Sequence, residues 1–167
     1  MKKFITFCLI ATIGVFFTMT VYAGDQATPQ EVIQKVKEAA DYLSKKGEAG
    51  LADFNKKGTK WVWKDTYIFV YCCKKGTVAA HPIKPKLVGK NLMGLKDIKG
   101  NMLFVRLCEA AKNPKGGWVE YWWPKPGEKK PSRKISYILQ VPGQPYQVAA
   151  GIYNDKITVD ELNKMLK

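Results

Sequence analysis

The sequence predicts an α+β domain: a long N-terminal helix packed on an antiparallel sheet of about five strands. Three observations predict it. Thr28-Pro29-Gln30-Glu31 is a capping box with Pro at the first helical position, placed ahead of Val32, Val36, Ala39, Ala40 and Leu43 at helical spacing. Two stretches, Tyr67 to Ala80 and Trp118 to Tyr153, alternate short β-branched and aromatic runs with tight turns, the pattern of consecutive hairpins. A length of 167 residues suits one domain of ordinary size and leaves no room for a second.

The elements follow in order. Met1-Lys2-Lys3 and the uncharged run Phe4 to Ala23, closing on Val21-Tyr22-Ala23, read as a cleaved signal peptide over residues 1–23. The run is also just long enough to span a bilayer if it is kept. Residues 24–167 form the predicted domain. Its first helix ends at Gly47, and a shorter helix with Leu51, Ala52 and Phe54 ends before Gly58. Tyr67 to Tyr71, a Lys74-Lys75-Gly76 turn and Thr77 to Ala80 make a hairpin. A loop punctuated by Gly and Pro runs from His81 to Gly100, and Met102 to Ala111 suits a helix lying on a sheet, stopped by Gly116-Gly117. Trp118 to Trp123, Lys134 to Leu139 and Tyr146 to Tyr153 are three meander strands, turned at Pro126-Gly127-Glu128 and Pro142-Gly143. Thr158-x-x-Glu161 caps a last helix carrying Leu162, Met165 and Leu166. Consecutive hairpins with helices at the ends define the class.

Composition then bounds function. Lys and Arg number 28 against 14 acids, a net charge of +14, while 46% hydrophobic residues make a packed fold rather than disorder. The signal segment removes only Lys2 and Lys3, so the domain stays strongly basic. Export to the periplasm or beyond makes nucleic acid an unsuitable partner and leaves small anions, anionic envelope surfaces and acidic proteins. One His excludes a multi-histidine metal site. The sequence has no P-loop, dinucleotide fingerprint, G-x-S-x-G elbow or H-E-x-x-H, and Asp53, Asp65, Asp97 and Asp155 form no recognisable set. Neither an enzyme nor a cofactor is expected. Of the cysteines left after export, Cys72 and Cys73 are adjacent, so on a strand they face opposite sides and at most one points at Cys108. Either a Cys72–Cys108 or a Cys73–Cys108 disulfide suits an oxidising compartment, Cys73–Cys108 being the pair carried forward; small buried hydrophobes are the alternative.

Several segments carry a family resemblance. Tyr67 to Gly76 with Ala80-His81-Pro82, Lys86-Leu87-Val88-Gly89-Lys90-Asn91-Leu92 and Asp97-x-x-Gly100 come in the first half. Gly117-Trp118-Val119-Glu120-Tyr121-x-Trp123-Pro124, Lys134-x-Ser136-Tyr137 and Gly151-Ile152-Tyr153 follow. In this order and spacing, from Ala27 to Tyr153, the chain resembles the type-two single Cache extracytoplasmic sensor domain. The resemblance implies a PAS-like fold whose sheet encloses a pocket for a small organic acid, with the signal passed to a membrane chemoreceptor or sensor kinase. The sequence departs from the family pattern at Cys72-Cys73-Lys74-Lys75, where an acidic turn is common, and at Tyr146, where a Trp is common. No output domain is read after the Cache-like segment, so a free-standing domain is expected, a monomer or a weak homodimer.

The expected ligand is a short acid such as acetate, propionate, lactate or pyruvate. A buried carboxylate needs a fixed cation or several aligned donors. The resemblance favours Lys134 as that cation, a solvated lysine being the other reading. His81, held extended by Pro82, is expected at the site or its rim, where its titration would make binding pH-sensitive. Tyr121 and Trp123 share one side of their strand and are the preferred aromatic wall; Trp118 and Tyr137 are further candidates, although strand alternation turns Trp118 away from Tyr121 and Tyr137 away from Lys134. Two other functions fit the residues: a basic protein that binds an anionic partner, and a thiol or haem redox sensor built on Cys72 and Cys73.

Overall fold

Thr28 opens the first helix as the sequence predicts. The computed structural model describes residues 26–167, so the predicted signal peptide at 1–23 lies outside the described residues. Thr28 Oγ1 accepts the Glu31 N–H at 3.2 Å and the Glu31 carboxylate accepts the Thr28 N–H at 2.8 Å, closing the box that starts α1 (Pro29–Lys46). Val32, Val36, Ala39, Ala40 and Leu43 are its buried stripe. Each fully buried Val or Leu there contributes about 2 kcal/mol. A 3-10 helix (Gly47–Asn55) continues directly from α1, where the sequence predicted a separate short helix.

Six short segments follow: β1 (Val62–Trp63), β2 (Thr66–Tyr67), β3 (Phe69–Cys72), β4 (Thr77–Ala80), a 3-10 turn (Pro85–Leu87) and α2 (Leu103–Ala110). The chain ends with β5 (Gly117–Pro124), β6 (Pro131–Gln140), β7 (Gln147–Ile152) and α3 (Val159–Lys164). A second capping box, Thr158 with Glu161, starts α3.

The main sheet has five antiparallel strands in the order β4-β3-β7-β6-β5, and β1-β2 form a separate pair. β6 begins three residues before the predicted Lys134 because it pairs with the whole of β5, from Gly117↔Ile138 to Pro124↔Pro131. Tyr67, predicted within the first hairpin, belongs instead to β2; Ile68 breaks the run by donating its N–H to Trp61 O at 2.8 Å.

The sheet separates two apolar layers. On one side, α1, the first 3-10 helix and α3 cover Val70, Cys72, Trp118, Ile135, Tyr137, Val148, Ala150 and Ile152. On the other, α2 and the segment that precedes it cover Phe69, Tyr71, Val119, Tyr121, Ile138 and Ala149, with Tyr67 beside them. Strand alternation thus decides which residues reach which layer. It also decides the cysteine pairing: Cys72 lies buried and free in the α1 layer, while Cys73 bonds Cys108 of α2 at an S–S distance of 2.06 Å. No helix among the described residues is long and apolar enough to cross a membrane.

Candidate functional site

Lys134 sits on β6 directly opposite Tyr121 of β5, its side chain turned into the α2 layer. The residue is 0% exposed and its Nζ has no hydrogen-bond partner. Its surroundings are aromatic: Nζ lies 4.2 Å from the Tyr67 ring centroid, 5.1 Å from Tyr153 and 5.7 Å from Phe69. Such cation–π contacts offset only part of the lost hydration. Burial therefore pulls the Lys134 pKa down to about 7, against a weaker upward pull from the Asp65 carboxylate.

Gly151 of β7 makes this burial possible. A Cβ there would stand 2.9 Å from Lys134 Cε, 2.3 Å from Ser136 Oγ and 2.7 Å from the Ile135 carbonyl oxygen. Thr66 fastens β2 to the same point by donating its hydroxyl to Gly151 O at 2.6 Å, which holds Tyr67 beside the lysine.

Tyr67, Phe69, His81, Leu103, Phe104, Tyr121 and Trp123 line an adjoining void of about 10 Å³, enough for roughly one water. The His81 ring packs at 4.9 Å from Tyr67 and 6.5 Å from Trp123. Its main-chain N–H donates to Asn55 Oδ1 at 2.9 Å, and its Nδ1 accepts the Lys84 N–H at 3.1 Å. The neutral ring thus carries its proton on Nε2. Burial first, then the charges of Lys134 and Lys84, pushes the His81 pKa down to about 3. The expectation that His81 titration tunes binding is therefore corrected: the ring stays neutral at ordinary pH, and Lys134 is the group that titrates near neutrality.

The hydroxyls add donors. Tyr121 Oη and Ser136 Oγ are 2.8 Å apart. Tyr67 Oη is in hydrogen-bonding reach of the Trp123 indole and the Tyr153 hydroxyl. Burial raises the pKa values of Tyr67, Tyr121 and Tyr153, so all three phenols remain protonated.

The structure thus brings together four of the six candidate residues, His81, Tyr121, Trp123 and Lys134. Trp118 and Tyr137 are not with them. They face each other across β5–β6 with rings 5.5 Å apart in the α1 layer, and Tyr137 donates its hydroxyl to Lys115 O at 2.7 Å. This corrects their placement in the ligand set. Residues that the sequence reading missed complete the wall: Tyr67 of β2 and Phe69 at the start of β3, Tyr153, two after Gly151, and Leu103 and Phe104 at the start of α2. The spacing Tyr67-x-Phe69-x-Tyr71 was the available signal, since alternate residues share a face. The redox reading built on Cys72 and Cys73 loses its basis: one thiol is in the disulfide and the other is buried. Wider clefts near α3, lined by Lys115, Trp118 and Asn163 among others, are open to solvent and lie away from Lys134.

A five-stranded antiparallel sheet with a long helix on one face, and a small aromatic pocket around a buried cation on the other, defines a PAS-like sensor domain. The comparisons agree. The Cache domain (dCache_2) family matches residues 51–158. The chain belongs to the Cache domain family. It is 32% identical over 80 residues to the methyl-accepting chemotaxis protein McpP of Pseudomonas putida, a stretch of 48% of this chain but only 15% of that receptor. Among solved structures, it resembles a methyl-accepting chemotaxis protein from Vibrio parahaemolyticus. That likeness has a TM-score of 0.58, 28% identity and coverage of 75% of this chain and 83% of that one. It also resembles a Cache chemosensory domain solved for its recognition of carboxylic acids, with a TM-score of 0.57, 27% identity and coverage of 74% and 82%.

Proposed function

We propose that residues 24–167 form one extracytoplasmic domain that binds a short organic acid, of the size of acetate, propionate, lactate or pyruvate, and relays its presence to a membrane chemoreceptor or sensor kinase. The observation that carries this reading is the Lys134 ammonium, fully buried and without a hydrogen-bond partner. A buried amine left in this way costs stability, and a ligand carboxylate is the group that would repay it. The His81 Nε2–H and the Tyr121 and Tyr67 hydroxyls are the neutral donors that would orient the acid, and Trp123, Phe69, Leu103 and Phe104 would enclose its short carbon chain. Because the closed void holds little more than a water, binding requires the covering segment or Trp123 to give way, which favours small ligands.

A calorimetric titration and thermal-shift screen with acetate, propionate, lactate and pyruvate tests the proposal. At least one acid should raise the Tm by several degrees at millimolar concentration, and Lys134→Met should abolish the response. An equal response from Lys134→Met would overturn the site, and no response to any short acid would overturn the ligand class.

A further inference from the structure

The covering segment has a second property that the pocket does not use. Of the large hydrophobic residues exposed among the described residues, Val88, Leu95, Ile98 and Met102 lie in this one stretch, and only Met165 lies elsewhere. They centre on a turn. Lys96 bridges to Met102, and the Gly100 N–H donates to Asp97 O at 3.0 Å, which puts Ile98 and Lys99 at the tip. Ile98 is 64% exposed, the most of any large hydrophobic.

The turn is rigid. The Asp97 carboxylate accepts the N–H groups of Lys99, Asn101 and Trp122, each at 2.9 Å, and the Asn101 side-chain amide at the same distance. Burial works against the ionised form, yet these bonds from Asn101 and Trp122 hold the Asp97 pKa below the usual carboxylate range. The only acid of the turn therefore faces inward and is engaged with N–H donors. Lys96 and Lys99 remain exposed beside Ile98, and the Lys99 ammonium lies 5.5 Å from the ring centroid of the half-buried Trp122.

We infer that the Lys96–Met102 turn docks this domain on an anionic lipid surface, with Ile98 inserted among the headgroups and Lys96 and Lys99 on the phosphates. Charge and shape both favour a lipid surface over a protein. Single apolar side chains set between ammonium groups suit a fluid interface that admits each of them separately, whereas a protein partner needs a contiguous complementary patch. The excess of basic over acidic residues, which loss of Lys2 and Lys3 barely lowers, draws the molecule to an anionic bilayer before insertion. The apolar tip adds what a purely electrostatic surface lacks, a hold that survives salt.

Flotation of the full chain with vesicles tests this, using phosphatidylcholine alone and phosphatidylcholine with phosphatidylglycerol as the minority component. The apolar run at the N terminus is common to every variant, so only differences between variants are read. Wild type should bind the mixed vesicles about tenfold more tightly than the neutral ones. Ile98→Asp and the pair Lys96→Glu/Lys99→Glu should each lose most of that excess. The pair Lys45→Glu/Lys46→Glu, which removes the same charge from the end of α1 on the other side of the sheet, should keep it. All of these residues are exposed, so an unchanged Tm certifies each variant as folded. Equal binding to both vesicle types would overturn the inference. So would Ile98→Asp that binds like wild type, which would show that the tip is not inserted, or Lys45→Glu/Lys46→Glu that is as weak as the Lys96 and Lys99 pair.

Discussion

A methyl group on Gly151 of β7 would strike the Lys134 stem, the Ser136 hydroxyl and the Ile135 carbonyl together. Two of those three contacts are with the side chains that give the pocket its cation and the partner of Tyr121. The absent Cβ is thus part of the site.

Gly151→Ala should lower stability by about 2 kcal/mol, because the Ile135 carbonyl is main chain and cannot turn away. It should also weaken acid binding by tilting Lys134. Urea unfolding and calorimetry on the same preparation check both effects. Unchanged affinity would show that Lys134 tolerates displacement.

Lys134→Met should do the opposite to stability. It replaces a desolvated amine with an apolar chain of similar length, and should gain about 2 kcal/mol at pH 7 while it abolishes the ligand response. The sign follows from protonation. The folded-state pKa of about 7 lies below the ordinary 10.5, so between these values the unfolded chain binds more protons. Wild type should therefore become more stable as pH rises from 7 towards 10, and Lys134→Met should lack that component. Melts across this range decide it.

Acid affinity should be flat from about pH 5.5 to 7 and should fall above 7, by up to about tenfold per pH unit, because the bound state must then recruit a proton to Lys134. No step should appear near pH 6.5, since His81 stays neutral down to about 3. A calorimetric pH series measures the profile, and an inflection at 6.5 would mean that His81 is far less buried in solution.

Cys73→Ser/Cys108→Ser should cost about 4 kcal/mol by loop entropy, given a sequence separation of 35 residues. The loss should concentrate in the covering segment, because the bridge closes the loop that contains it. Hydrogen exchange should show residues 83–102 opening first, and uniform loosening would contradict this.

Trp118→Phe should leave acid affinity within about twofold, since Trp118 packs in the α1 layer and its indole N–H is buried without a partner. A large loss of affinity would mean that the two faces of the sheet are coupled.

What the sequence made legible was local. The capping boxes at Thr28 and Thr158, the turns at Gly76 and Gly127 and the strand alternation of β5 and β6 are encoded within a few residues, and all appear in the fold. Alternation even limited the choice for Cys108 to one of two adjacent cysteines. It could not say which face of the sheet would hold the pocket, and so Trp118 and Tyr137 entered the candidate set on the wrong side. Tyr67, Phe69 and Tyr153 meet Lys134 only because β7 pairs with both β3 and β6, a relation between segments about eighty residues apart. The pKa values of His81 and Lys134 depend on that same burial, which no local pattern records.

The last strand in the chain is the middle strand of the sheet. The β3–β4 and β5–β6 hairpins can each close as soon as their own residues are available, but they share no edge until β7 slides between them. A chain that emerges from its N terminus therefore holds two disconnected hairpins, each with a raw edge, until residues 147–152 arrive. The Cys73–Cys108 bridge joins segments that precede β7, so it can tether the first hairpin to α2 during that wait. β7 pairs both of those inner edges and sets Gly151 against Lys134, so completion of the sheet and closure over the lysine depend on the same strand.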